Sequence, residues 1–130
     1  MNETIVTQIQ ALIPDVEAIY LFGSCADGTA LAQSDVDIAF LNECEIDDVR
    51  RWEIANELAL SLKRDVDLID LKKSNTIFRV EILSTAKRLY CRNLSKVEAF
   101  ESLAYSFYVR FKEERRAIEE QIYKDKKVLT

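Results

Sequence analysis

Residues 16–41 read VEAIYLFGSCADGTALAQSDVDIAFL, and this stretch decides the fold. It contains both glycines of the chain, Gly23 and Gly28. An apolar run ends directly at Gly23-Ser24, and Asp35-Val36-Asp37 opens a second apolar run ten residues later. This order predicts a strand, a glycine turn, a short polar helix or loop, and a second strand.

The two aspartates that open the second strand are predicted to form a metal site. Residues i and i+2 of a strand point to the same face, so Asp35 and Asp37 lie side by side, with Cα atoms roughly 6.6 Å apart. At an effective dielectric of about 20 the two carboxylates repel each other by roughly 3 kcal/mol. A cation between them reverses this repulsion. Mg²⁺ is the expected cation, since it is commonly bound through one or two carboxylates and substrate phosphates.

The glycine turn is predicted to bind phosphate. Gly23 has no Cβ, so a phosphate can approach the backbone closely. The hydroxyl of Ser24 and nearby backbone N–H groups can hold phosphate oxygens, more so if a helix begins at Ser24. A lone turn or a lone pair of aspartates is usually only structural, but their combination at this spacing indicates a nucleotide site.

A third strand is predicted within KRDVDLIDL, residues 63–71. The period of two places Asp65 and Asp67 on one face and Asp70 on the other. If this strand lies beside the strand of the first two aspartates, Asp67 can join the same site. A strand start with solvated aspartates is the alternative.

Helices are predicted over residues 2–13, about 48–62, 74–86 and 95–124, with a short edge strand at 89–91. The predicted N-caps are Asn2 or Thr4, Asp47 or Asp48, Ser74 or Asn75, and Ser95 with Glu98 as a capping box. The second helix is expected to bury Val49, Trp52, Ala55, Leu58, Ala59 and Leu62. The third is expected to bury Ile77, Phe78, Ile82 and Leu83.

The last helix carries an apolar stripe that is longer than a small domain can cover. About 30 residues of helix measure near 45 Å. The stripe is formed by Phe100, Leu103, Phe107, Phe111, Ile118 and Ile122. We therefore expect part of it to be exposed or to meet another chain.

The predicted fold class is α/β (α+β), a small mixed sheet flanked by helices with a long C-terminal helix.

The composition of the chain excludes several classes of catalytic and metal site. A chain of 130 residues suits one domain. It has no histidine, which excludes Ser-His-Asp and Cys-His catalysis and histidine-bound zinc. The net charge of −5 argues against a general nucleic-acid binder. No apolar run spans a bilayer, no secretory signal is present, and the three cysteines are scattered, so a cytoplasmic location is expected.

The spacing of Gly23-Ser24 and Asp35-Val36-Asp37 resembles the G-S-x10-D-x-D signature of the nucleotidyltransferase superfamily that includes DNA polymerase beta. The local sequences LFGSCADGT and SDVDIAFL more closely resemble those of the minimal nucleotidyltransferases, in particular the MNT-type antitoxins of HEPN/MNT toxin–antitoxin pairs. The resemblance implies a minimal nucleotidyltransferase domain over residues 1–92. Residues 93–130 would form a C-terminal helix that packs on the domain, on a partner, or on both.

The resemblance also implies roles for single residues. Asp35, Asp37 and Asp67 would be catalytic and would bind the metal, with Asp65 the weaker candidate for the third carboxylate. Gly23 and Ser24 would seat the nucleotide phosphates.

The implied reaction uses Mg²⁺ and ATP to transfer AMP to a tyrosine of a HEPN ribonuclease toxin, which is thereby inactivated within a hetero-oligomer. Neither membrane association nor direct nucleic-acid binding is expected. Two alternatives are an antitoxin that neutralises by binding alone and a small-molecule nucleotidyltransferase of the antibiotic-modifying type.

The loop after the glycine turn departs from the family pattern. Many members carry a basic residue there, whereas this chain has Asp27, which would repel a triphosphate unless it points away. Arg79, Lys87 and Arg88 are basic residues that could reach a triphosphate, although a solvated helix face is the plainer interpretation.

Overall fold

The computed structural model describes the backbone of residues 1–31 and 34–129 and the side chains through residue 126. Its elements follow the predicted order. They are α1 (Asn2–Leu12), β1 (Val16–Phe22), α2 (Ser24–Asp27), β2 (Val36–Asn42), α3 (Asp48–Leu62), β3 (Val66–Asp70), a 3-10 turn (Leu71–Lys73), α4 (Thr76–Thr85), β4 (Lys87–Cys91) and α5 (Leu94–Leu129).

The strands form one mixed sheet in the order β3-β2-β1-β4. β1 is antiparallel to both of its neighbours, β2 and β4, whereas β2 and β3 are parallel. The parallel pair is joined through α3, because parallel strands need a long crossover connection. The mixed sheet, and β4 as its edge strand, are confirmed.

Helices cover both faces of the sheet. On one face α1 and α3 enclose a core that includes Ile5, Ile9, Ile19, Ile38, Phe40, Ile54 and Leu58. On the other face α4 and α5 cover Ala18, Tyr20, Ala39, Leu41, Leu71, Ile82 and Val97. Because strand residues alternate between faces, Asp37 shares the α4/α5 face with Ala39.

The buried side of α3 differs from the prediction. Leu58 is buried as predicted, but Val49 and Trp52 are 67% and 64% exposed, and the buried Ile54 was not predicted. The helix begins and ends as predicted, with Asp47 accepting a hydrogen bond from the Arg50 backbone N–H at 2.7 Å. The apolar residues allow two overlapping stripes, and the one through Ile54 and Leu58 packs on the sheet.

The buried side of α4 was also predicted only in part. Val80 and Ile82 are buried, but Ile77 and Phe78 are each 37% exposed. Asn75 caps the helix by accepting the Phe78 backbone N–H at 2.8 Å, which confirms one of the two predicted caps.

The predictions for the other two N-caps were wrong. At α1 the N-cap is Met1, with no side-chain hydrogen bond. At α5 the Asn93 side chain accepts the Lys96 backbone N–H at 3.2 Å, so the helix begins at Leu94, one residue before the predicted Ser95. The division of the chain at residues 92 and 93 falls in the connection between β4 and α5, and it stays a prediction.

The first turns of α5 are attached to the sheet through Glu101. Its carboxylate accepts the Tyr20 hydroxyl at 2.7 Å and two hydrogen bonds from the Arg88 guanidinium, at 3.1 and 3.2 Å. Tyr20 is only 2% exposed, so this hydroxyl depends on a protein partner. Burial, followed by the contact with Glu101, raises the Tyr20 pKa well above its usual value.

Candidate active site

The glycine turn between β1 and α2 lies against Asp37. Gly23 has φ of 70° and ψ of −155°, a combination that residues with a side chain rarely adopt. A Cβ built on Gly23 would overlap the Asp37 carboxylate and lie 3.1 Å from its Cγ. Of the two predicted alternatives after the turn, a short helix or a loop, the structure has the helix, and the Gly23 carbonyl accepts the Ala26 N–H at 3.0 Å.

The parallel pairing of β2 and β3 places Asp67 directly opposite Asp37 in register. Neighbouring strands are roughly 4.8 Å apart, and paired residues share a face of the sheet. Asp35 lies two residues before Asp37, immediately ahead of β2. The fold therefore brings all three predicted carboxylates and Gly23 to one end of β2.

The charges of these carboxylates interact. Burial raises the pKa of Asp37, and the negative charges of Asp67 and then Asp35 raise it further. Within residues 1–31 and 34–129, however, no three metal-binding side chains are already gathered into a coordination site. A hard divalent cation fits this set of oxygen donors, because its positive charge would offset the repulsion among the three carboxylates.

The other aspartates of the third strand occupy different positions. The Asp65 carbonyl accepts the Val36 N–H at 2.9 Å, before β3 begins. Asp70 is buried and accepts the Lys72 N–H at 3.0 Å, which caps the 3-10 turn. The charges that act on Asp37 are those of Asp67 and Asp35. The geometry thus favours Asp67 over Asp65 as the third carboxylate.

Asp27, the departure from the family pattern, is held within its own loop. Its carboxylate accepts the Thr29 hydroxyl at 2.6 Å and the Thr29 backbone N–H at 2.9 Å. These hydrogen bonds lower the pKa of Asp27. The side chain therefore stabilises the loop as an anion.

The three basic residues considered for phosphate binding have other surroundings. Arg79 donates to the carbonyls of Leu71, Lys72 and Ser74 at 2.8, 3.0 and 2.9 Å. It therefore clamps the 3-10 turn to α4, and the interpretation as a solvated residue was wrong for it. Arg88 binds Glu101, as described above. Lys87 is paired with Leu21, whose side chain packs on the α1/α3 face, away from the carboxylates.

Arg64 contacts the loops of this site and was missed by the sequence analysis. Its Nη2 donates to the Leu31 carbonyl at 2.6 Å, and its Nη1 lies 4.0 Å from the Cys25 Sγ and 3.5 Å from the Met1 Sδ. The Cys25 thiol in turn donates to the Asp35 carbonyl at 3.6 Å. The sequence offered little signal for this role, since a basic residue at a helix end is ordinary.

Comparisons with known proteins agree with this geometry. The family model described as polymerase beta, nucleotidyltransferase, matches residues 3–95. The protein adenylyltransferase MntA of Shewanella oneidensis is 37% identical over 119 residues, which are 91% of this chain and 85% of the relative.

Several solved structures of similar chains are toxin–antitoxin complexes. One is a toxin–antitoxin crystal structure with AMP-PNP (35% identity, TM-score 0.84, covering 93% of this chain and 97% of the other). Another is the tri-AMPylated HEPN toxin of Shewanella oneidensis in complex with its MNT antitoxin (32% identity, TM-score 0.78, covering 93% and 94%). Among the described residues, no helix has the length and apolarity to cross a membrane. By its family match, its identity to MntA and its fold, this chain belongs to the polymerase beta nucleotidyltransferase family, within the group of MNT-type antitoxins.

Proposed function

We propose that this protein is a Mg²⁺-dependent protein adenylyltransferase that transfers AMP from ATP to a tyrosine of a HEPN ribonuclease toxin. The observation that carries the proposal is the placement of Asp37 opposite Asp67 and against Gly23. The relative named protein adenylyltransferase and the complex with a tri-AMPylated toxin support the choice of group and acceptor protein. The complex with AMP-PNP supports ATP as the donor.

Asp35, Asp37 and Asp67 would hold the metal. All three are oxygen donors at one end of β2, and burial, followed by the negative charges of Asp67 and Asp35, raises the pKa of Asp37. When bound, Mg²⁺ supplies positive charge that stabilises the phosphates during transfer.

Gly23 and Ser24 would seat the β- and γ-phosphates. The absence of a side chain at Gly23 lets the Asp37 carboxylate lie directly against the turn that would bind the phosphates. Backbone N–H groups at the start of α2, together with the Ser24 hydroxyl, are suitable donors to phosphate oxygens.

In the proposed step, the phenolic oxygen of the toxin tyrosine attacks the α-phosphorus of ATP. A new O–P bond forms, the bond between the α-phosphorus and the bridging oxygen breaks, and pyrophosphate leaves. The phenolic proton passes to the Asp67 carboxylate or to solvent. The residues of the site contribute by positioning the groups and compensating charge, as in other phosphoryl transfers.

The modification would inactivate a ribonuclease by charge and bulk. A transferred AMP adds a negatively charged phosphodiester and a nucleoside to the tyrosine. Negative charge beside a surface that binds RNA phosphates opposes binding, by the same logic as phosphorylation.

The test is transfer of label from α-labelled ATP in the presence of Mg²⁺, with and without the cognate toxin. We expect label on the toxin, and loss of at least about a hundredfold in rate for Asp35→Asn/Asp37→Asn. Asp15→Asn is the matched control, because Asp15 lies ahead of β1 and pairs with Arg92 at 3.9 Å, away from the carboxylate site. Neutralisation of the toxin that persists in the double variant without any label would instead indicate an antitoxin that acts by binding alone.

A further inference from the structure

The side of α5 that packs on the sheet continues far beyond the sheet. Val97 and Ala104 are 0% and 3% exposed and face the core. Phe107, Phe111, Ile118 and Ile122 follow at spacings of 3, 4, 7 and 4 from Ala104, which places them on the same side of the helix. These four side chains are 45%, 40%, 62% and 50% exposed. The core-facing stripe is therefore bare after Ala104.

The bare part of α5 is long. From residue 105 to 129 the helix spans 25 residues, roughly 37 Å. Through residue 126 every described side chain of this part is exposed, except the half-buried Tyr108. Most helical stability in proteins comes from packing of an amphipathic face. An unpacked stripe of this length indicates that another molecule covers it.

α4 extends the same surface. Ile77 and Phe78, the two residues wrongly predicted to be buried, line an open cavity together with Phe111. Ile77 also borders a groove of about 600 Å³ with Tyr108 and Phe111. The docking face, as we define it, comprises Ile77, Phe78, Phe107, Phe111, Ile118 and Ile122.

Several charged side chains along this part of α5 have partners within the helix. Arg115 pairs with Glu119 at 3.3 Å and Arg116 with Glu120 at 3.4 Å. Lys112 lies 5.0 Å from the centre of the Tyr108 ring. Attraction by the docking face is therefore mainly apolar, which suits a protein surface and does not suit the phosphate backbone of a nucleic acid.

From these observations we infer that the docking face binds an apolar surface of the toxin. This contact would hold the acceptor residue of the toxin at the antitoxin. The solved toxin–antitoxin relatives share this fold over 93% of this chain, so most of α5 has a counterpart in chains that were crystallised with a toxin. The identity of the partner rests on the proposed function, whereas the existence and position of the face do not.

The test compares Phe111→Glu/Ile118→Glu with Ser106→Glu/Ala117→Glu. Both double variants add two carboxylates to α5, but Ser106 and Ala117 are exposed and lie roughly 110–130° around the helix from the docking face. We expect the first variant to weaken the Kd for the toxin by at least about tenfold, since a carboxylate is costly to bury in an apolar interface. The control is expected to stay within about twofold of the original chain.

Two further measurements keep the test independent of folding and of catalysis. Ile122→Glu changes a position well beyond the sheet and should also weaken toxin binding, with unchanged helicity by circular dichroism. Asp35→Asn/Asp37→Asn should bind the toxin normally without labelling it. If the original chain never labels the toxin while the docking variants lose binding, the proposed function fails and the docking face stands.

Wild-type affinity of Phe111→Glu/Ile118→Glu for the toxin would overturn the inference, even if labelling by the original chain supports the proposed function. A second copy is the other possible occupant. Self-association of the 15.0 kDa chain that this variant abolishes, with no change in toxin affinity, would likewise overturn it.

Discussion

Gly23 and Asp37 are in such close contact that the Asp37 carboxylate occupies the space where a side chain on Gly23 would begin. The glycine turn that follows β1 and the first carboxylate within β2 are thus one structural unit, because β1 and β2 pair with Phe22 opposite Asp37. A phosphate seated at the turn would therefore lie beside the carboxylates.

Gly23→Ala should disrupt both the turn and the carboxylate site. Its φ of 70° and ψ of −155° are unfavourable for alanine, and the new Cβ would displace Asp37. We expect a loss of about 2–3 kcal/mol in the free energy of unfolding, measured with urea, and at least a tenfold loss of transfer rate.

Gly28→Ala is the matched control for that change. Gly28 also has a positive φ, 81°, but a Cβ there meets nothing within 4 Å. The expected cost is about 1 kcal/mol, from backbone strain alone. Equal effects of the two substitutions on transfer would contradict a specific contact between Gly23 and Asp37.

Asp37 should make stability depend on pH when no metal is bound. Because its pKa is raised in the folded state, folding favours the protonated form. Stability from this group is therefore highest at low pH and declines as the pH rises from the ordinary carboxyl pKa through the raised one.

At neutral pH without metal, Asp37→Asn should remove this repulsion. The site is partly exposed and screened by solvent, so we expect a gain of only about 0.5 kcal/mol, or roughly 2 °C in Tm. Mg²⁺ should raise the Tm of the original chain but not that of the variant. A lower Tm for metal-free Asp37→Asn at neutral pH would contradict the electrostatic account.

Glu101 should contribute more to stability than the Tyr20 hydroxyl, which donates a hydrogen bond to it. Tyr20→Phe removes one hydrogen bond and leaves Glu101 paired with Arg88, so we expect a loss of about 1 kcal/mol. Glu101→Ala leaves the buried Tyr20 hydroxyl and the Arg88 guanidinium without this partner, with an expected loss of about 2–3 kcal/mol. Urea unfolding of both variants measures the difference, and a smaller loss for Glu101→Ala would refute this attachment of α5.

Arg64 should position the site without taking part in the chemistry. Its guanidinium donates to the Leu31 carbonyl and approaches Cys25, which lies in α2. We expect Arg64→Ala to reduce kcat/KM for ATP by about tenfold, because small displacements of binding groups are costly for transfer. Arg50→Ala, which removes only an exposed pair with Glu53 at 3.2 Å, is the control. Equal transfer rates in both variants would show that the Arg64 contacts do not position the site.

The strands and the carboxylates could be predicted because each depends on local chemistry. The apolar run before Gly23 and the alternation around Asp37 and Asp67 define strand, turn and face within a few residues. The register that pairs Asp37 with Asp67 could be stated only as a condition, because it depends on how the chain crosses over through α3.

The buried sides of the helices were harder to predict. Trp52 and Phe78 lie on apolar stripes, but competing stripes in the same helices pack on the sheet. Which stripe is buried depends on how the helix crosses the sheet, and this is a tertiary property. Asn93 was missed as a cap because Ser95 and Glu98 offered a stronger local pattern.

The central claim is that three carboxylates on two neighbouring strands form one catalytic site, and a comparison of Asp67→Asn with Asp65→Asn tests it most directly. Both residues lie in the stretch 63–71 that contains the third strand, but only Asp67 is in register with Asp37. The measurement is the single-turnover rate of AMP transfer from ATP to the toxin. The account predicts a loss of at least about a hundredfold for Asp67→Asn and a rate within about threefold of the original chain for Asp65→Asn. A wild-type rate for Asp67→Asn would contradict it.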